Sequence, residues 1–352
     1  MALDGPTSGD TAAFDRIPKV ELHCHVEGTV RPATVLELAR KAGRPLSVDD
    51  PASLYRYDSL DSFLAVFWLV QETLVDRGDW ARIARESLVD AAAHGLRYRE
   101  MFFTPARHLA AGQDLGEIVA GLTEGIEAAE AETAADGRPV RCRLILDIDR
   151  AYGPAAATEL VERLGEVRRG GGAERVIGVG ADSTELGVDM RAFAPAFEAA
   201  RRLGLRRTCH AGEAVGVGPD NLRVALDVLG AERIDHGVAI AEDPALVRRV
   251  ADEGVPLTVC PTSNVVIANR FASLAEHPFM ALRDAGVRLT INTDDPAMME
   301  LDLGAEYRNV AAAWALDTTT LGRIAVEGIA STWLDATDRR SLARQFEAAL
   351  AP

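Results

Sequence analysis

The chain predicts an α/β fold, a single (β/α)8 TIM barrel, and three observations carry that expectation. Eight short β-rich runs recur along 352 residues, segments of helical periodicity separate them, and neither a composition shift nor an internal repeat marks a second domain. The runs are Val20–His25, Tyr98–Thr104, Cys142–Asp149, Val176–Asp182, Arg207–Ala211, Arg233–Val238, Pro256–Cys260 and Val287–Thr293. Most are continuous Val, Ile, Leu or Phe, as parallel strands buried on both faces require.

Taken in order, residues 1–16 read as a flexible tail. They contain no basic stretch followed by an apolar core, so no secretory signal is expected. One barrel domain is then expected over residues 17–352. About seventy residues separate the first run from the second, more than one crossover helix needs. PATVLELARKAG, SLDSFLAVFWLVQETL and DWARIARESLVDAAAHG lie there, all with helical spacing. This insertion, about 29–95, is expected to form a lid over the C-terminal face of the barrel. Farther on, GPAAATELVERLGEVRR and MRAFAPAFEAARRLGL are helical, the second stopping near Gly204. DPALVRRVADEG has an Asp cap, proline at the first helical position and a stop at Gly254. The glycines of GGGA and GVG do not precede helices, so they read as structural and not as phosphate cradles.

Composition excludes several functions. Apolar residues make up 48% of the chain and charged ones 26%, a globular balance. A net charge of −16 argues against nucleic-acid binding, which needs clustered Lys and Arg. The longest apolar stretch, FLAVFWLV, is far short of a membrane span. Cys24, Cys142, Cys209 and Cys260 are scattered and form no CxxC pair, which suits reduced thiols and a cytoplasmic protein. The composition is compatible with a homo-oligomer.

Chemistry enters at the ends of the runs. His23 and His25 are two apart, so their side chains leave one face of a strand. His210 closes the fifth run and Asp294 the eighth. Three imidazoles and a carboxylate suit Zn²⁺ and leave a position for water, although iron, cobalt or manganese would accept the same ligands. Glu213, in HAGE, is placed for general acid work if burial raises its pKa. His236, in IDHG, can orient or deprotonate the water. Asp295 can bond to substrate or cap the turn that starts at Pro296. The other histidines have plainer readings: His94 at a helix end, His277 in a loop before Pro278, His108 at the surface. Phe67 and Trp68 read as lid core before they read as a stacking platform.

Together these residues resemble the adenosine and adenine deaminase family of metal-dependent amidohydrolases. PKVELHCHVEGT, HAGE, RIDHG, CPTSN and NTDDP occur in the family's order from about Pro18 to the 330s. The resemblance implies one Zn²⁺ per chain on His23, His25, His210 and Asp294. It implies that Glu213 protonates purine N1, that His236 assists the attacking water, and that Asp295 binds N7. The reaction would convert a 6-aminopurine to the 6-oxopurine with release of ammonia. Adenosine-specific members usually carry Asp where Glu27 stands, near the sugar. They also tend to have glycine at Ser183, contacting N3 through the backbone. Glu27 and ADSTELG resemble the adenine-specific type, whereas NTDDPAMMELDLGAEY resembles the adenosine-specific ending. Glu27, Ser183 and Asp295 are therefore the expected substrate contacts. Adenosine or a related adenine nucleoside is the expected substrate, with free adenine and aminodeoxyfutalosine as alternatives. The expected partner is thus a small purine nucleoside or base.

Rival readings fare worse. Binuclear amidohydrolases typically bridge two metals through a lysine on the fourth strand, but the only lysines are Lys19 and Lys41. The HxE and PCxxC elements of cytidine deaminases are absent. An inactive barrel serving as a binding protein would have no use for Glu213 beside four metal ligands.

Overall fold

The computed structural model describes residues 11–46, 48, 50–57 and 60–351. Eight parallel strands follow one another around a ring: β1 (Lys19–Glu21), β2 (Leu96–Phe103), β3 (Arg141–Asp149), β4 (Val176–Asp182), β5 (Arg206–Ala211), β6 (Arg233–His236), β7 (Leu257–Val259) and β8 (Leu289–Ile291). The seam between first and last closes beyond their regular ladders. Cys24 bridges to Asp294, the His25 amide donates to the Asp294 carbonyl at 2.9 Å, and the Asp294 amide donates to the His23 carbonyl at 3.2 Å. Barrel closure and the histidine pair thus share one stretch of backbone.

The outer helices form where the spacing predicts them. In the helix Pro244–Glu253, Asp243 accepts from the amides of Ala245 and Leu246, and Gly254 terminates the helix at a φ of 66°. That left-handed conformation is available to glycine at little cost.

The long first connection holds three helices, Pro32–Lys41, Leu60–Thr73 and Arg77–Ala93. Only part of it has the character of a cover. Arg77–Ala93 packs along the helix Leu115–Ala135 as a member of the outer ring. A Cβ at Gly121 or Gly125 would lie 2.3 Å from the Arg77 carbonyl oxygen or 2.1 Å from that of Ala81, so glycine permits the close approach. The helix Leu60–Thr73 instead sends Phe63, Leu64, Phe67 and Trp68 into the wall of the main cleft. Its predicted start at Ser59 lies outside the described residues.

The tail divides in the same way. Residues 1–10 lie outside the described residues, whereas Thr11–Arg16, expected to be flexible, forms a helix against Leu303–Trp314. The buried Lys19 ammonium fastens it by donating to the carbonyls of Phe14, Ile17 and His94 at 2.5, 2.8 and 2.8 Å. Among the described residues no helix is long and apolar enough to cross a membrane.

Candidate active site and metal centre

The predicted ligands meet. His23 Nε2 lies 3.1 Å from Asp294 Oδ1, and His25 Nε2 lies 3.4 Å from the same oxygen and 3.2 Å from His210 Nε2. One ligand atom from each of the four buried residues fits within a 4.8 Å cluster. The second nitrogens of two rings fix their tautomers. His23 Nδ1 is 3.2 Å from the Thr258 carbonyl and His210 Nδ1 is 3.1 Å from that of Ala181. A carbonyl only accepts, so both Nδ1 atoms carry the proton and both Nε2 lone pairs face the Asp294 carboxylate. His23 Nε2 is buried without a hydrogen-bond partner. Lone pairs converging on a carboxylate repel one another unless a cation lies among them. The residues therefore fit a divalent metal. Ser263 Oγ donates to Asp294 Oδ2 at 2.6 Å.

Around this centre stands a set of acids in different states. Burial, then the charges of Asp294 and Glu185, push the Glu213 carboxyl up to about 8, so it holds a proton at neutral pH. Its backbone is clamped by Glu185, which accepts from the amides of Gly212 and Glu213 at 2.8 and 2.9 Å and from Asn221 Nδ2 at 2.8 Å. Glu213 Oε1 lies 3.6 Å from His236 Nε2. Asp295 precedes the turn Pro296–Met299 but makes no capping bond. Its Oδ1 is buried without a partner, and its side chain lines the cleft. That disposes of the capping role. Burial and neighbouring Asp294 raise its pKa well above normal. A Cβ at residue 28 would fall 1.8 Å from Asp295 Oδ1, which is why glycine follows Glu27.

Backbone strain concentrates here. Ser183, His236 and Asp294 have φ of 71°, 57° and 65°, a left-handed region uncommon for such residues. Ser183 lines the cleft as expected. Glu27 is fully buried and accepts from the Thr104 amide at 2.8 Å, and it is not among the cleft-lining side chains. Burial raises its pKa to about 7.

Two histidines depart from their sequence reading. His108, expected at the surface, is buried with its ring centroid 4.6 Å from that of Trp80. His277 follows a short turn, as read, but is buried and bonded to Asn264. Phe67 and Trp68 reach the cleft and are not confined to the core of the inserted helix. Glu185 and Asn264 stand in motifs, ADSTELG and CPTSN, whose chemistry the linear sequence left unassigned.

The sequence profile described as "Adenosine deaminase" matches residues 18–349. The chain belongs to the adenosine deaminase family. An adenine deaminase of Streptomyces coelicolor is 39% identical over 323 residues, 91% of either chain. An aminodeoxyfutalosine deaminase of Acidothermus cellulolyticus is 36% identical over 92% of this chain and 90% of its own. An amidohydrolase of Burkholderia ambifaria solved with bound Zn superposes with a TM-score of 0.86 at 29% identity, covering 98% of this chain and 94% of that one. As a member of the adenosine deaminase family this protein is a hydrolase that removes an amine from a purine.

Proposed function

We propose that the protein hydrolyses the 6-amino group of adenine as the free base, giving the 6-oxopurine and ammonia, with one Zn²⁺ on His23, His25, His210 and Asp294. The observation that carries the choice of base is the lack of a cationic side chain in the cleft lining. Its lining includes Asp149, Asp182, Glu185, Glu213, Asp294 and Asp295, and no Lys or Arg among the described residues. The residues outside the described set contain neither Lys nor Arg. A phosphate or carboxylate on the substrate would find no cation there to pair with, which disfavours nucleotides and the carboxylate-bearing aminodeoxyfutalosine. The N3 edge of the purine, assigned to Ser183 by resemblance, is adjacent to N9. Asp149 and Asp182 line the cleft together with Ser183, and Asp182 Oδ1 is buried without a partner. A carboxyl oxygen, ionised or not, accepts the N9–H of free adenine, a donor that nucleosides lack.

Zn²⁺ on the four ligands would act as a Lewis acid, lowering the pKa of water towards ~7. The protonated Glu213 gives its proton to N1, which draws electron density from C6 and opens it to attack. N7 is an acceptor, so Asp295 binds it as the neutral acid, in keeping with its raised pKa. Phe63, Phe67 and Trp68 exclude water from the faces of the ring.

Ammonia release is to be measured over adenine, adenosine, AMP and aminodeoxyfutalosine, with metal content in parallel. Adenine should give the highest kcat/KM, the two anionic substrates should be the poorest, and zinc should approach one per chain. Faster turnover of adenosine than adenine would set a ribose against Asp149 and Asp182 and reject the base assignment.

A further inference from the structure

Behind His236 runs a line of hydrogen bonds whose direction is set by a backbone amide. The Phe279 amide nitrogen lies 3.1 Å from His277 Nδ1. An amide N–H can only donate, so Nδ1 is the bare nitrogen of that ring. Burial lowers the His277 pKa to about 3, which keeps the ring neutral with its single proton on Nε2. That Nε2 donates to Asn264 Oδ1 at 3.1 Å. The other arm of the amide, Nδ2, is a donor only, and it lies 3.0 Å from His236 Nδ1. His236 Nδ1 must then accept, leaving the ring's proton on Nε2. This nitrogen faces the cleft, 3.6 Å from Glu213 Oε1 and 3.9 Å from Asp294 Oδ2. Asn264 is fully buried, and His277 is packed against the rings of Phe271 and Trp314 at 4.9 and 6.0 Å between centroids. No water is needed to complete the line.

We propose that His277 and Asn264 are positioning residues that hold His236 as its Nε2–H tautomer, so that His236 donates a hydrogen bond to the attacking oxygen and does not accept its proton. The tautomer stands on the hydrogen-bond line alone; the identity of the oxygen rests on the deaminase reading. A neutral ring already protonated at Nε2 has no lone pair there. Of the two roles open to His236, orienting the water and deprotonating it, the relay selects the first.

Histidine labelled with nitrogen-15 in the zinc-loaded protein separates the two ring nitrogens by their shifts. His236, assigned from the signals lost in His236→Gln, should show a bare Nδ1 and a protonated Nε2. Asn264→Asp offers acceptors to both neighbours and should move the His236 proton to Nδ1. A misplaced imidazole proton is costly to catalysis, so kcat should fall at least ~30-fold while KM stays within ~3-fold. Glutamine at 277 can accept from Phe279 and donate to Asn264, so His277→Gln should keep the tautomer and at least ~one third of kcat, whereas His277→Phe should keep neither. A protonated Nδ1 on His236 in the unmodified protein overturns the proposal. So does Asn264→Asp with a shifted proton and unchanged kcat. If the expected tautomer is found and adenine is not turned over, the relay stands and the free-base reading falls.

Discussion

Within the strands, buried charges face their opposites. Glu21 pairs with Arg99, and Glu100 pairs at 2.5 Å with Arg233, which lies 4.0 Å over the Trp333 ring. Single atoms of these pairs, among them Arg99 Nε and Arg233 Nη2, lack hydrogen-bond partners, but each side chain has its counter-charge. Nearer the cleft, Asp182 Oδ1 and Asp295 Oδ1 are buried without hydrogen-bond partners and line the space that a substrate would enter. Buried polar atoms are ordinarily satisfied, because an orphan carries a desolvation penalty of ~1–3 kcal/mol. Two regions a few residues apart along each strand therefore serve different ends. The lower one uses charge to hold the barrel, and the upper one withholds partners that metal and substrate must supply.

Substitutions can break that comparison. The largest effect should come from Glu213→Gln, which removes only the proton donor. It should retain zinc and lower kcat by ~10²–10⁴-fold, in line with the usual worth of a general acid. Near-normal turnover with metal in place would sink the role. In the unsubstituted enzyme the acid must be protonated to work. The pH profile of kcat/KM should therefore fall as pH rises through about 8, the value to which burial pushes Glu213. In the lower region Glu100→Gln leaves buried Arg233 with only the longer 3.9 Å contact to Asp235, and should lower unfolding free energy by ~3–5 kcal/mol with kcat of the folded fraction little changed. Denaturant melts read beside active-site titration would separate the two effects; a loss of kcat without a loss of stability would erase the division between the regions. The smallest expected change is for Glu185→Gln. It weakens the acceptors for the Gly212 and Glu213 amides, and kcat should drop by about 10-fold with no change in zinc content.

Much of this site can be read from residue order because each ligand closes an apolar run. A strand end fixes where a side chain points, so HCH, HAGE, IDHG and TDDP translate directly into positions around a barrel mouth. The exact strand limits are less legible. The run Val20–His25 narrows to β1 at Lys19–Glu21, since the backbone past Glu21 leaves its ladder to bridge Asp294 and Phe102. Residues acting through other residues are the hardest to see. Glu185 is bonded to amides 27 and 28 positions away, and His277 reaches His236 only through Asn264. No spacing rule covers such partners, because folding alone brings them together. His108 illustrates the opposite error: an isolated histidine after a strand reads as a surface residue, yet the inserted helices cover it.

The seam between first and last strands gives metal loading a second meaning. Its final rungs are the backbone bonds of His23 and His25 with Asp294, whose side chains are three of the four candidate ligands. A chain that has not finished its circle cannot assemble the ion's coordination sphere. A metal ion bound on the proposed ligands would thus report a completed fold, and would clasp the join where the ring could otherwise open.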